Sequence, residues 1–225
     1  MGLLRSLTTE AVLSIIYIIG SFLGYLFPLR SLNPNPSQKR PIVFVHAWLS
    51  QNPPFILFKR FFERRGYRVY MTNFGWHLTD PEINAEKLRR FLLDNAIEDA
   101  CLVGVSAGAL ISLYYLQSLD GWKRVHKFIS IGGPFAGSPL AFLAAFISPM
   151  ARQIMPGSVF LEKLRTQKIK HPNRIVCIFA KFDNLVPRGS SQLPGCKSIE
   201  VNIWGHVKMQ LSTKTYRAVE MAIAD

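Results

Sequence analysis

Ser106 stands at the centre of Gly104-Val105-Ser106-Ala107-Gly108, between the apolar run Ala100-Cys101-Leu102-Val103 and the apolar-periodic stretch Ala109–Leu116. That order predicts a strand, a sharp turn and a helix. The turn is crowded, and a Cβ two positions either side of the serine would collide with the neighbouring strand and helix, so both positions are glycine. Such a turn lifts the serine Oγ clear of the sheet while the first amides of the helix point at it. A serine so placed is a candidate nucleophile, and it then needs a histidine to take its proton and a carboxylate to orient that histidine.

Elimination narrows the partners. Between Asp120 and Glu200 there are only two carboxylates, Glu162 and Asp183. Glu162 lies in Ser158-Val-Phe-Leu-Glu-Lys-Leu-Arg165, which reads as a surface helical turn. Asp183 follows the β-branched and aromatic run Arg174–Ala180 and opens the loop Asp183-Asn-Leu-Val-Pro187. That places it at the carboxyl end of a parallel strand, where sites collect. Beyond it a single histidine remains, His206, again after a strand pattern, Ser198-Ile-Glu-Val-Asn-Ile203. The order Ser106, Asp183, His206 is the one expected behind such an elbow.

Acyl transfer also needs two N–H donors aimed at the developing oxyanion. Ala107, after the serine, supplies one. The wholly apolar strand Pro41–Val45 runs into His46-Ala47-Trp48, and the Trp48 amide is the second candidate.

These stretches together resemble the α/β-hydrolases, and within them the small lipases and esterases and the GPI-inositol-deacylase-like lipases. His46-Ala47-Trp48 is similar to their His-Gly-x loop and Gly104–Gly108 to their elbow. Gly132-Gly-Pro-Phe-Ala-Gly-Ser138 resembles their Gly-Thr-Pro-His-x-Gly-Ser stretch, and Pro156–Leu161, Asp183–Pro187 and Gly205-His206 are similar too. The likeness covers roughly residues 40–224 and implies cleavage of carboxylic esters without metal or cofactor. Two positions depart from the pattern. Ala47 replaces a glycine, which would strain the hole if that position required positive φ. Phe135 replaces a histidine and is expected to alter the pocket wall.

Alternating patterns position these groups. Strands are predicted near 41–46, 67–72, 100–105, 125–131, 174–180 and 198–203, and helices near 54–65, 82–95, 107–118, 159–166 and 207–223. Strand and helix in alternation imply a mostly parallel sheet of about six strands with helices on both faces. Asp80 before Pro81 reads as a cap followed by a helix start. Between the fourth and fifth strands, residues 139–172 contain Ala141–Met155, apolar but for Arg152. This is either a lid or acyl-chain wall, with Met150, Ile154 and Met155 facing the substrate, or a helix covering one sheet face. His46, Ala47 and Phe135 complete the expected substrate contacts. Trp48, Trp76 and His77 either rim the pocket or pack beneath it.

Ahead of this domain, assigned to 41–225, Ala11–Phe27 carries no charge. About 20 apolar residues span a bilayer as a helix, so residues 1–30 are expected to form a transmembrane anchor. A cleaved signal peptide is the rival, disfavoured by the lack of a small-residue cleavage site. Residues 31–40 read as a proline-containing linker. Arg30, Lys39 and Arg40 outnumber Arg5, which sets the domain on the cytoplasmic side. Three cysteines without paired spacing fit no disulfide framework. The formal net charge of +13 is scattered, without a nucleic-acid-reading motif. It suits anionic lipid headgroups beside an anchor, or a solvated surface. The expected activity is therefore a membrane-anchored serine esterase acting on an acyl-ester or lipid substrate. An acyltransferase or thioesterase with the same triad, or a non-catalytic tethered scaffold, stands as the alternative.

Overall fold

The computed structural model describes residues 2–26 and 39–225, with side chains for 8–23 and 39–225. After an N-terminal helix α1 (Gly2–Leu26), the elements run β1 (Ile42–Val45), α2 (Ile56–Glu63), β2 (Val69–Met71), α3 (Pro81–Asp94), β3 (Ala100–Val105) and α4 (Ala107–Ser118). They continue as β4 (Val125–Ile131), α5 (Ala141–Ala144), α6 (Pro149–Ile154), α7 (Val159–Thr166), β5 (Ile175–Phe182), β6 (Lys197–Trp204), α8 (His206–Gln210) and α9 (Thr213–Ala224). The expected linker lies outside the described residues except for Lys39 and Arg40.

Six strands form one parallel sheet in the order β2-β1-β3-β4-β5-β6. Alternate residues of β1 show why both faces must be covered. Val43 and Val45 pack with Leu88 of α3 and Leu110 and Leu113 of α4. Ile42 and Phe44 pack with Phe58 and Phe62 of α2 and Val219 of α9 on the other face. Every residue of β1 and β3 is buried, which is why both read as continuous apolar runs. Strand order reverses at the β1–β3 boundary, so the loops leaving these two strands open at the switch point where α/β sheets place their sites.

Two helices differ from the pattern-based reading. The long one expected over 207–223 is two, α8 and α9, because the Ser212 hydroxyl accepts from the Lys214 amide and starts a new helix. The apolar stretch 141–155 is likewise split into α5 and α6 by Ser148 and Pro149, where the Ser148 Oγ accepts from the Ala151 amide. At α3, Asp80 makes no side-chain cap. Its Oδ1 accepts from Gln153 Nε2 at 3.0 Å, tying the start of α3 to α6.

Helix α1 forms where the apolar run predicts one. Among the described residues, however, no helix is long and apolar enough to cross a membrane. Instead, α1 lies against the domain. Glu10, Tyr17 and Ser21 are buried, and their spacing of seven and four residues puts them on one face of a 3.6-residue helix. The Tyr17 ring meets Phe55 edge-on, with centroids 5.7 Å apart. The opposite face keeps Val12, Ile15, Ile16, Ile18, Ile19, Phe22 and Leu23 exposed.

The turn at Ser106 explains its flanking glycines. A Cβ at Gly104 would lie 2.7 Å from both Ala109 Cα and the Gly108 carbonyl oxygen. One at Gly108 would lie 2.6 Å from the His46 carbonyl oxygen and strike that of Val45. These are backbone atoms that cannot rotate away. Gly108→Ala is therefore expected to destabilise the fold by about 3 kcal/mol or more, beyond usual overpacking. Thermal unfolding of the purified variant checks this, and a melting temperature equal to wild type would show that β1 and α4 can separate.

Candidate active site

Ser106 follows β3 directly and precedes α4, at φ 51° and ψ −121°. This is a left-handed conformation that a non-glycine residue adopts only when its surroundings enforce it. The Ser106 amide donates to the Ile131 carbonyl at 2.9 Å, pinning the turn to β4. Its carbonyl accepts from the Ala109 amide at 2.9 Å as α4 begins. Ala107 is fully buried on the first turn, where its amide has no intrahelical acceptor.

The candidate acid and base come from the opposite side of the switch point. His206 Nδ1 lies 2.6 Å from Asp183 Oδ2, and both side chains are 4% exposed. Asp183 Oδ1 accepts from the amides of Leu185 and Val186, each at 2.8 Å. Burial opposes the charge on Asp183. The histidine beside it, with the Val186 and Leu185 amides, outweighs that opposition and holds the carboxyl below its ordinary range. Asp183 is thus held as an acceptor facing Nδ1 of His206. Asn184 Oδ1 accepts the His206 amide at 2.9 Å. Asn184 was not among the expected site residues, although it adjoins Asp183 in sequence. Tyr17 and Glu10 were not expected either, since nothing local marks contacts made across some 190 residues.

Ser106 and His206 line one cavity of about 180 Å³ with Tyr17, Ala47, Trp48 and Ile154. Leu140, Ala141, Ala144 and Ala151 form the rest of its apolar wall. Of the expected substrate contacts, Ala47 and Ile154 are therefore at the cavity. Met150 is fully buried and packs in the core beneath it. Phe135 is turned away, lining a separate cavity of about 740 Å³ that contains no member of the triad. His46 lies below the loop, fully buried. The residue with positive φ in this loop is Leu49, at 54°, so Ala47 carries no left-handed strain. Trp48 fixes the loop to α6 by donating from Nε1 to Ser148 Oγ at 3.1 Å.

His46 donates from Nδ1 to the Ala47 carbonyl at 3.0 Å and stacks on buried His77, with ring centroids 4.0 Å apart. Trp76 is half-buried, and His77 packs beneath the loop instead of rimming the cavity. Burial lowers His46 to about 4 against the hydrogen bond to Ala47, and His77 is lowered as well, first by burial and then by His46.

A lecithin:cholesterol acyltransferase family model matches residues 74–218. The chain belongs to the lecithin:cholesterol acyltransferase family. The matched segment takes in the elbow, the acid and the histidine. Phospholipid:diacylglycerol acyltransferase 1 of Arabidopsis thaliana is 24% identical over 154 residues, covering 56% of this chain and 23% of that protein. The chain thus spans about a quarter of the length of that relative. Among solved structures, the mature lipase BlEst2 of Bacillus licheniformis superposes with a TM-score of 0.72 at 20% identity, over 85% of this chain and 97% of that one. The monoacylglycerol lipase of Paleococcus ferrophilus gives 0.62 at 16% identity, over 83% and 96%. These likenesses establish the fold. That fold is the α/β-hydrolase fold.

The two stacked histidines make the fold acid-sensitive. An ordinary histidine titrates at 6.5 and His46 at about 4, so between these values the unfolded chain binds a proton that the folded chain refuses. Stability therefore falls as pH drops from 6.5 towards 4, by about 3 kcal/mol from His46. Asp183, depressed from 3.8, adds its own loss only below that value. Urea unfolding at successive pH values measures the slope, and His46→Gln should flatten it.

Proposed function

We propose that the chain is a membrane-associated serine enzyme that cleaves a lipid carboxylic ester through an acyl-enzyme on Ser106. The observation that carries this reading is the pairing in one cavity of the strained Ser106 with His206, itself held by Asp183 at 2.6 Å. His206 Nε2 takes the Ser106 proton as Oγ attacks the ester carbonyl, and then returns it to the departing alkoxide. The amides of Ala107 and Trp48 receive the tetrahedral oxyanion. Water activated by His206 attacks the acyl-enzyme in the second half-reaction and releases the acid.

Acyl transfer is the second reading, favoured by the family and by the printed name of the Arabidopsis relative. It uses the same first half-reaction and replaces the water with a lipid hydroxyl. At about 180 Å³ the cavity is smaller than the roughly 300–1,000 Å³ of most ligand pockets. An acyl chain would extend past Leu140 and Ala144 onto the exposed Phe142, Leu143, Phe146 and Ile147.

Membrane association rests on those side chains, on the outward face of α1 and on the net charge of +13. Both apolar elements border the same cavity, through Tyr17 on one side and Leu140 on the other. An apolar rim around an ester-binding cavity suits a lipid surface, and the scattered basic residues suit anionic headgroups.

Full-length protein treated with a fluorophosphonate should gain one adduct, on Ser106, lost in Ser106→Ala. A folded protein that takes no label would overturn the reading. Phospholipid vesicles with and without diacylglycerol then separate free fatty acid from triacylglycerol as product. Phe146→Glu should weaken vesicle binding about tenfold, measured by flotation, with little change on a soluble short-chain ester. Equal flotation would remove this face from the membrane contact.

A further inference from the structure

Helix α8 begins at the catalytic histidine, and its first amides need acceptors. The residue before it, Gly205, has no side chain to cap them. Asn184 takes the His206 amide. The next two are taken by a residue almost two hundred positions earlier. Glu10 Oε1 accepts from the Val207 amide at 2.8 Å, and Oε2 from the Lys208 amide at 3.0 Å. Glu10 is 5% exposed, and its bond to Val207 is buried. Gly205 makes room for it, since at φ 117° a Cβ there would run into the Glu10 carboxylate. A side chain at 205 would supply an ordinary cap and exclude Glu10. The glycine and the glutamate are thus two halves of one arrangement. The same face of α1 brings Tyr17 to the cavity wall.

We propose that Glu10 is a positioning residue for His206, and that α1 is therefore part of the active site in addition to any role at a membrane. This rests on the serine-enzyme reading for its catalytic consequence. Asp183 fixes the imidazole at Nδ1, but that contact leaves the backbone beneath the ring free to shift along α8. Glu10 and Asn184 hold three consecutive amides at that point, so the ring is anchored from its side chain and its backbone together. Loss of α1 by proteolysis or truncation removes this acceptor from the amides of Val207, which is buried, and Lys208.

The test uses the full chain in detergent micelles. Fluorophosphonate labelling of Ser106 is timed in wild type and Glu10→Gln, each with His206 intact and with His206→Ala. Glu10→Gln keeps the size of the side chain but turns one acceptor into a donor facing an amide. Labelling should slow about tenfold when His206 is present and by less than about twofold when it is absent, because Glu10 acts through the histidine. Glu10→Asp, which keeps the charge and withdraws the oxygens, should show the same pattern. Equal slowing in both backgrounds, or none in either, would overturn the proposal. Hydrogen exchange of the 205–210 segment is read in parallel and should be faster in both variants, with the sheet unchanged. If wild type takes no label, the serine-enzyme reading falls. Exchange then decides the placement of α8 alone, and unchanged exchange at Val207 and Lys208 would sink it.

Discussion

Ser106 keeps φ 51° because every neighbouring route is closed. Its amide is taken by β4, its carbonyl by the start of α4, and the glycines at 104 and 108 let β1 and α4 approach within van der Waals limits. A conformation of this kind costs about 1–3 kcal/mol. Here the cost is offset by the packing of β1, β3 and α4, whose side chains are among the most buried in the chain. The nucleophile is thus presented by the core itself. His206, paired with Asp183, and the loop of Ala47 and Trp48 are arranged around it.

The rest of the site is assembled from remote segments, each held by few bonds. The acid rests on two amides of its own loop. His206 is held by Asp183 at its ring and by Asn184 at its amide, and Glu10 takes the amides of the next two residues, Val207 and Lys208. An apolar N-terminal helix is easily taken for a detachable tether. Here its inner face carries Glu10, bonded to the first amides of α8, and Tyr17, at the wall of the cavity that Ser106 and His206 line.

What could be read from sequence follows from how locally each signal is written. The parallel strands and the Ser106 turn were legible because burial on both faces leaves unbroken apolar runs, and because a crowded turn demands glycine at fixed offsets. The pairing of Asp183 with His206 was legible by order and by scarcity. Asp80 looked like a cap, but the sequence does not show that Gln153 competes for its oxygen. Met150 and Phe135 read as pocket residues because an apolar side chain near a site looks the same whether it faces inward or outward. Only packing distinguishes Met150 in the core from Ile154 at the cavity. Glu10 was hidden most deeply, since its partners are two backbone amides at the other end of the chain.

Trp48 has two obligations on one residue. In the proposed mechanism its amide serves the oxyanion, while its indole is bound to Ser148 at the head of α6. Helix α6 also supplies Ala151 and Ile154 to the cavity wall. An acyl chain too bulky for that wall must displace α6, and the displaced helix draws the indole and its loop with it. Under the proposed mechanism the site would then hold a poorly fitting chain with a misaligned donor. Discrimination among acyl groups would therefore be expressed in the speed of the chemical step, with binding strength changing comparatively little.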